Sequence, residues 1–427
     1  MERYEKFKDS GVEWSDRRWI GGIPEHWEIK KIKYVAYLKS GDNIISEQIN
    51  ESDAFPVFGG NGLRGYFSDF THEGNFVLIG RQGALCGNIN YASGKFWASE
   101  HAIVCHLQTA AGWKWFGELL KIMNLNQYSQ SAAQPGLAVE KIKNLEIPYP
   151  PLFEQTAIAN YLDKKTSELD TLITKKENLI ELLKEERTAI INQAVTKGLD
   201  PDVEMKDSGV DGGDRRWLGE IPAHWEVKKL KYVFQLVGGF AFKSEDFTDE
   251  GIQLIKIGNL YQNKLQLDRQ PTFLPTEYKE TFKDYMATKG DILLSLTGTL
   301  GKRDYGYAIL IDEDKDLLVN QRVAKISVKG KMDIDFSINL FQCETYLNQL
   351  LSIPTGTKQG NLSGDDVLGI HMPIPSIDEQ LEIALFIKNE DSRITNIILL
   401  TNQEITLLKE YKTALISEVV TGKVKVV

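Results

Sequence analysis

The chain states its opening twice. Residues 8–36, KDSGVEWSDRRWIGGIPEHWEIKKIKYVA, align with residues 206–234, KDSGVDGGDRRWLGEIPAHWEVKKLKYVF, and 20 of the 29 positions are identical. A second pair of strings follows each copy: IPYPPLFEQ (147–155) and MPIPSIDEQ (372–380). Behind each lies a long helical pattern that closes with LLKEERTAIINQAVTKG (182–198) or LLKEYKTALISEVVTGK (407–423). The order is globular segment, helix, globular segment, helix. A duplicated chain can present two similar surfaces related by a pseudo-two-fold axis. Such a molecule suits a two-fold target or a pair of identical partners.

The spacing of the aliphatic residues predicts two long helices. Ile158, Leu162, Leu169, Leu172, Ile173, Ile180, Leu183 and Ile190 fall at spacings of three, four and seven. Shifted by 225 they become Ile383, Ile387, Ile394, Ile397, Ile398, Ile405, Leu408 and Leu415, and every one stays aliphatic. This is a heptad-like seam. Each helix should run roughly 45 residues, or about 65 Å. The first joins the two globular segments, and the second can pack back along it only antiparallel. The expected fold is α+β: two globular heads joined by two long antiparallel, coiled-coil-like helices, with a dumbbell outline. The expected domains are 1–150 (head one), 151–205 (first helix and linker), 206–375 (head two) and 376–427 (second helix).

Composition narrows the compartment and the partners. The start, MERYEKFKDS, is charged and lacks a signal-peptide core. No apolar run approaches the roughly 18–20 residues of a membrane span. Cys86, Cys105 and Cys343 are scattered without CxxC spacing, which fits a reducing cytoplasm and argues against a disulfide framework or a zinc ribbon. Net charge is −10, split as −1, −4, −3 and −2 over the four regions. No region is basic. A chain that held nucleic acid alone would carry a positive surplus somewhere, so other subunits must supply much of any phosphate grip.

Each head opens with its Trp-rich stretch. Trp19, Trp27, Trp217 and Trp225 sit among Gly and Pro and should anchor that stretch to a core. WEIKKIKYV and WEVKKLKYV then suit a strand or a short helix with a basic outer face. Head one should hold strands near Phe55–Phe58, Phe76–Ile79, Gly87–Tyr91 and Ala102–Leu107, then a helix over Trp113–Asn126. Head two should hold strands near Gln253–Ile257, Asp291–Leu296, Tyr307–Ile311 and Val323–Val328, then a helix near Asp333–Leu350. The copy offset grows from 198 to 225, so head two carries about 27 extra residues in its middle. Constant ends around different middles describe one scaffold with two specificities.

The chain shows no chemistry of its own. There is no [DN]-P-P-[YFW] string, since Pro150-Pro151 follows Tyr149. Gly60–Gly65 spells GxGxxG, but Tyr66 and Phe67 follow it rather than a helix. Leu300–Arg303 lacks the spacing and Ser/Thr of a P-loop. Cys105 and His106 are adjacent, so on a strand they face opposite sides. His26 and His224, each beside a Trp, suit structural hydrogen bonds. No metal site and no cofactor site is expected.

With these features the chain resembles the specificity (S) subunit of type I restriction–modification enzymes. The GxIPxHWE openings, the PxPPxxEQ and PxPxxxEQ strings and the paired long helices carry the resemblance. LIGRQGALCGNINY and FWASEHAIV in head one, and GDILLSLTGTLGK and VNQRVAKI in head two, are typical of that family's target-recognition domains. The resemblance implies a non-catalytic, cytoplasmic subunit that reads double-stranded DNA, one half of a split site per head, with the helices setting the gap. It implies two modification (methyltransferase) subunits and two restriction (nuclease-translocase) subunits as partners. S-adenosylmethionine would belong to the former, and ATP and Mg to the latter. The alternative is a pseudo-symmetric protein adaptor without nucleic acid.

Base edges are read by Arg, Lys, Asn and Gln on exposed loops. In head one the candidates are Asn61 and Arg64 on a glycine-rich loop, Arg81 and Gln82 just past an apolar strand, Lys95, Gln134 and Asn88. In head two they are Lys243, Lys256, Asn259, Thr297, Thr299, Lys302, Arg303, Asn320, Gln321, Arg322, Lys358, Gln359 and Asn361.

Overall fold

The structure, a computed structural model, describes residues 3–14, 17–18, 20–83, 85–109, 112–129, 136–210, 217–353 and 359–426. The chain divides into two compact units: residues 1–177 with 402–427, and residues 178–401. Each unit contains one head, the start of the helix that follows it, and the end of the other long helix.

In unit one, strands Ala36–Ser40 (β1), Phe55–Gly59 (β2), Gly62–Phe67 (β3), His72–Gly80 (β4), Ile89–Ala98 (β5) and Ala102–Leu107 (β6) form one six-stranded sheet. Its order is β1-β6-β4-β5-β2-β3. All neighbours are antiparallel except β5 and β2, which pair in parallel. Helix Trp113–Ile122 (α1) buries Trp115, Phe116, Leu119 and Leu120 in one core with Val77, Ile79, Ile103 and Cys105. The alternate residues Leu78 and Val104 join Phe96 in a second cluster. Apolar positions of opposite parity are therefore all buried, which explains why VLIG and AIVC read as unbroken apolar runs rather than alternating ones. The expected helix over 113–126 stops at Ile122, and a 3₁₀ turn at Leu125–Tyr128 follows left-handed Asn124.

Unit two divides the same plan. Phe234–Gly238 (β7), Val323–Val328 (β15), Ile292–Ser295 (β11) and Ala308–Leu310 (β13) form one four-stranded sheet in that order. Phe273–Leu274 (β9), Ile252–Ile255 (β8), Leu317–Val319 (β14) and Met286–Ala287 (β10) form another. Thr297–Thr299 (β12) pairs with Gln359–Asn361 (β16). The single helix expected at 333–350 is two, Ile334–Gln342 (α3) and Glu344–Ser352 (α4), broken by the extended backbone of Cys343.

The long helices are Leu152–Lys197 (α2, 46 residues) and Ile377–Val420 (α5, 44 residues). In unit one Lys412 meets Asp170 at 2.6 Å and Lys176 meets Glu404 at 2.5 Å. In unit two Arg393 meets Glu186 at 2.8 Å and Arg187 meets Asp391 at 2.9 Å. Partner numbers fall as the first helix advances, so the pairing is antiparallel in each unit. These ion pairs are solvent-facing and contribute little stability, but they pin the register. The seam follows the expected residues with one correction. Leu172 is 40% exposed, while adjacent Ile173 is buried. Adjacent helical residues point about 100° apart, so only one of the two can face the partner.

The repeated strings close each unit. Trp27 and Trp225 are buried. Trp27 Nε1 donates to Glu154 at 2.9 Å, and Trp225 Nε1 to Glu379 at 3.0 Å. His26 and His224 bond the same carboxylates at 2.5 and 2.7 Å. The Trp-His and Glu-Gln strings thus staple each head to the start of its own helix. The end of the other helix seats on the same Trp. Gly422 adopts φ +75°, and a Cβ there would lie 2.5 Å from Pro24 and 2.9 Å from Trp27. Gly198 adopts φ +76°, and its Cβ would lie 3.2 Å from Trp225. Only glycine satisfies both the left-handed conformation and the contact. Trp19 lies outside the described residues.

Candidate nucleic-acid interface

One end of each head sheet gathers the polar loops. In unit one β4 ends at Gly80 opposite Ala102, and Arg81 N donates to His101 O at 2.8 Å. Arg81 O accepts from Leu137 N at 2.9 Å, and Gln82 bridges to Gly136. The tight turn Gly60-Asn61 between β2 and β3 lies against this junction. A Cβ at Gly60 would be 3.1 Å from both Gln82 O and His101 O. Asn88 Nδ2 donates to Asn61 Oδ1 at 3.4 Å. Asn61, Gln82 and Asn88 are exposed and Arg81 is half-buried. The GxGxxG string is therefore the turn of a β-hairpin and the start of its second strand.

Unit two builds the same junction from different side chains. Ser295 pairs with Val323, and Leu296 N donates to Arg322 O at 2.9 Å. Leu362 N donates to Leu296 O at 2.9 Å, and Thr297 pairs with Asn361. Thr297 thus stands where head one has Gln82, Arg322 where it has His101, Gln321 where it has Glu100, and Asn361 where it has Gly136. Thr299 lies opposite Gln359, and Gln321, Arg322, Thr299, Lys302 and Gln359 are exposed. The loop that returns to the sheet spans Arg81–Gly87 in head one and Leu296–Gly306 in head two.

Each return loop also borders a cleft. In head one it encloses about 350 Å³ with Asn88, Lys121, Asn124 and Asn126 in its wall. In head two it encloses about 750 Å³ with Lys302, Arg303, Thr345 and Asn348. Arg303 is held there by Glu344 at 2.9 Å and Asn348 at 3.2 Å. Both walls are polar and hold lysine or arginine, suited to hydrogen bonding and to negative charge.

The remaining candidates scatter. Arg64 is exposed on β3 and reaches Ser46 Oγ at 3.5 Å. Lys95 pairs opposite Glu73, at the far end of the β4–β5 ladder from Asn88, and sits 4.6 Å from the Phe70 ring. Lys243 is exposed; Lys256 is half-buried, 6.0 Å from the Phe247 ring. Asn320 is half-buried beside Phe240. Gln134 and Lys358 lie outside the described residues.

Asn259 requires correction. It is 2% exposed, accepts from Lys256 N and donates to Gln266 O and Arg269 O, each at 2.9 Å. Its amide holds a turn together and is withdrawn from any ligand. Thr297 is also withdrawn, at 9% exposure, so its strand position rather than its hydroxyl shapes the edge. Sequence reasoning missed His101, which the Ser99–His101 turn presents beside Gln82. Its neighbour Glu100 lies 3.2 Å away, and that adjacency made the pair look like balanced surface charge.

Among the described residues no group of three His, Cys, Asp or Glu is placed to hold a metal, and no helix is long and apolar enough to cross a membrane. Cys86, Cys105 and Cys343 are free and buried.

A family model described as the type I restriction modification DNA specificity domain matches residues 24–182 and 222–407. The EcoprrI type I restriction enzyme specificity subunit of Escherichia coli is 44% identical over 158 residues, 37% of each chain. The MjaVIII specificity subunit of Methanocaldococcus jannaschii is 26% identical over 417 residues, 95% of this chain and 94% of that one. Among solved structures, a chain from a study of complex assembly and conformational transition in the type I R-M system superimposes with TM-score 0.68 at 14% identity, covering 94% of this chain and 99% of that one. The HsdS subunit of Thermoanaerobacter tengcongensis superimposes with TM-score 0.57 at 13% identity, covering 94% and 98%. These two likenesses concern the fold.

Proposed function

The chain belongs to the type I restriction–modification DNA specificity family, and from that premise we propose that it reads a bipartite, asymmetric DNA site with one half per head. The observation that carries this reading is the shared junction with unlike side chains. Gln82, His101 and Gly136 in head one stand where Thr297, Arg322 and Asn361 stand in head two. One scaffold presenting two chemistries suits two different half-sites. In head one Asn61, Arg81, Gln82 and Asn88 contact DNA, with His101 beside them. In head two Thr299, Lys302, Gln321, Arg322 and Gln359 do so. Arg and Lys pair with guanine, and Asn and Gln with adenine.

The chain is non-catalytic. Two modification subunits join it and bring S-adenosylmethionine, and two restriction subunits bring ATP and Mg. The assembly works in the cytoplasm. A net charge of −10 leaves phosphate neutralisation to those partners. The long helices set the gap between half-sites. Inserting one heptad into α2 between Leu172 and Leu179, and one into α5 between Ile397 and Glu404, keeps the seam in phase. It should widen the gap by about three base pairs, since seven residues add about 10 Å.

Methylation-sensitive sequencing of DNA from cells carrying this chain and its modification partner tests the reading. The expected result is two unlike half-sites separated by a non-specific gap. A single continuous palindrome, or no new methylation, would refute it.

A further inference from the structure

The polar junction occupies one end of strand β1, where Gly41 N bonds Ala102 O. The opposite end carries a feature that both heads keep. In unit one, strand Glu28–Lys31 pairs with Glu146–Tyr149 just before α2, and a 3₁₀ turn at Ile32–Tyr34 leads into β1. In unit two, Glu226–Lys229 pairs with His371–Ile374 just before α5, and Leu230–Tyr232 leads into β7. KKIKY and KKLKY therefore sit at the root of each long helix. The length of the strand, about 16 Å at 3.3 Å per residue, separates them from the recognition loops.

Both roots expose the same aromatic ring. Tyr34 is 61% exposed and Tyr232 is 67% exposed. Lys33 Nζ lies 5.2 Å from the Tyr34 ring, and Lys231 Nζ 5.4 Å from the Tyr232 ring. Lys30 and Lys228 are paired with Glu28 and Glu226 at 2.9 and 2.7 Å. Among the described residues Lys31, Lys33, Lys229 and Lys231 form no ion pair. An exposed ring flanked by unpaired cations does nothing for the core. Tyrosine in that setting is the residue type that anchors protein interfaces, with its face dry and its hydroxyl wet.

The heads differ at their recognition loops and agree here, so this surface serves something common to both halves. Its position at the far end of β1 sets it apart from the bases. We propose that Tyr34 with Lys31 and Lys33, and Tyr232 with Lys229 and Lys231, are two equivalent docking points. Each takes one copy of the modification subunit through an acidic surface that receives the tyrosine ring. The assignment rests on the preceding reading that two such subunits join this chain. Opposite charge supplies orientation and association rate, and the buried ring supplies residence time.

The test combines the full-length chain with its cognate modification subunit, measuring stoichiometry by native mass spectrometry and affinity by titration at low and high salt. The wild-type chain should take up two copies. Lys31→Glu/Lys33→Glu/Tyr34→Ala should lose one copy, and Lys229→Glu/Lys231→Glu/Tyr232→Ala the other, each weakening its site by about 10-fold or more. Tyr34→Phe and Tyr232→Phe should keep both copies. Lys33, Tyr34, Lys231 and Tyr232 are exposed and Lys31 and Lys229 half-buried, and an unchanged thermal midpoint serves as the folding control. The proposal is overturned if the six-fold variant still binds two copies with unchanged affinity. It is also overturned if that variant keeps both copies but loses affinity equally for all DNA sequences, which would make the patch a phosphate grip. If the wild-type chain binds no modification subunit, the partner reading itself fails, and this proposal with it.

Discussion

Head one and head two are the same scaffold with its middle cut differently. In head one β4 and β5 run unbroken for nine and ten residues and hold one six-stranded sheet together. In head two the corresponding strands are interrupted, as β10 then β11 and β13 then β14, and the sheet separates into two of four strands. The return loop lengthens and the cleft beside it grows from about 350 to about 750 Å³. The Trp-Glu staple and the glycine helix end are unchanged. Burial fixes those parts, because a Trp between two helix ends admits few substitutes. The sheet edge is free to vary, because its side chains face solvent.

The largest test of this division removes a staple. Trp27→Ala and Trp225→Ala should each cost about 3–5 kcal/mol, through lost burial and a cavity at the meeting of head and helices. Each should lower the urea midpoint of its own unit, read by hydrogen exchange in β4 against β11. Equal loss in both units from either variant would show that the two staples are not independent.

How far the residues announced this arrangement depends on the range of the interactions involved. The long helices were legible because a heptad seam is written locally. Leu172 misled because Leu172 and Ile173 are adjacent aliphatics, and Lys176, ion-paired to Glu404, takes the next position of the seam instead. The break at Cys343 was hidden because the apolar period runs through it. The equivalence of Gln82 with Thr297 was illegible. It rests on Gly80 meeting Ala102 and Ser295 meeting Val323, across loops of unequal length. Asn259 looked like Asn61 because both end a short Gly-containing turn, yet one side chain points outward and the other is locked inside.

Asn259→Ala leaves three backbone groups without their partner and should destabilise unit two by about 2–3 kcal/mol. Asn61→Ala, 198 positions earlier in the repeat, should leave stability within about 0.5 kcal/mol and act only on DNA. Thermal unfolding and methylation assays on the pair decide it. A stable Asn259→Ala chain with altered specificity would restore Asn259 to the interface.

Arg81→Ala and Lys302→Ala separate the heads by function. Each should cost about 1–3 kcal/mol at a single half-site if it contacts a base, relaxing one position. A loss spread evenly over all sequences would mark a phosphate contact instead. Methylation kinetics on oligonucleotides varied in one half at a time would show which. An Arg81 effect on the second half-site would break the one-head, one-half assignment.

The smallest effect is a difference in acid response. In head one burial depresses the pKa of His72, and neighbouring His106 adds to it; burial also depresses His106, with Lys39 adding. The two rings lie 5.4 Å apart, and His72 stacks on Phe96. Head two has Ser327 in the place of His106, and there burial and then Lys229 depress His371. Because these folded-state values lie below the ordinary 6.5, the stability tied to the neutral rings is complete above about pH 6.5. It is lost as pH falls through the depressed values. The staple of head two behaves differently. Burial would raise the Glu379 carboxyl, but hydrogen bonds from Trp225, His224 and Ser376 outweigh it and hold it at about 2. Its contribution is complete above the ordinary value of 4.5 and fades only as pH falls toward 2. As pH falls below about 6.5, head one should therefore loosen before head two, seen as faster hydrogen exchange in β4 and β6 than in β11 and β15. Replacing His72 and His106 with Asn should abolish that difference. Equal acid response in both heads of the unaltered chain would show that the half-buried histidine pair does not distinguish them.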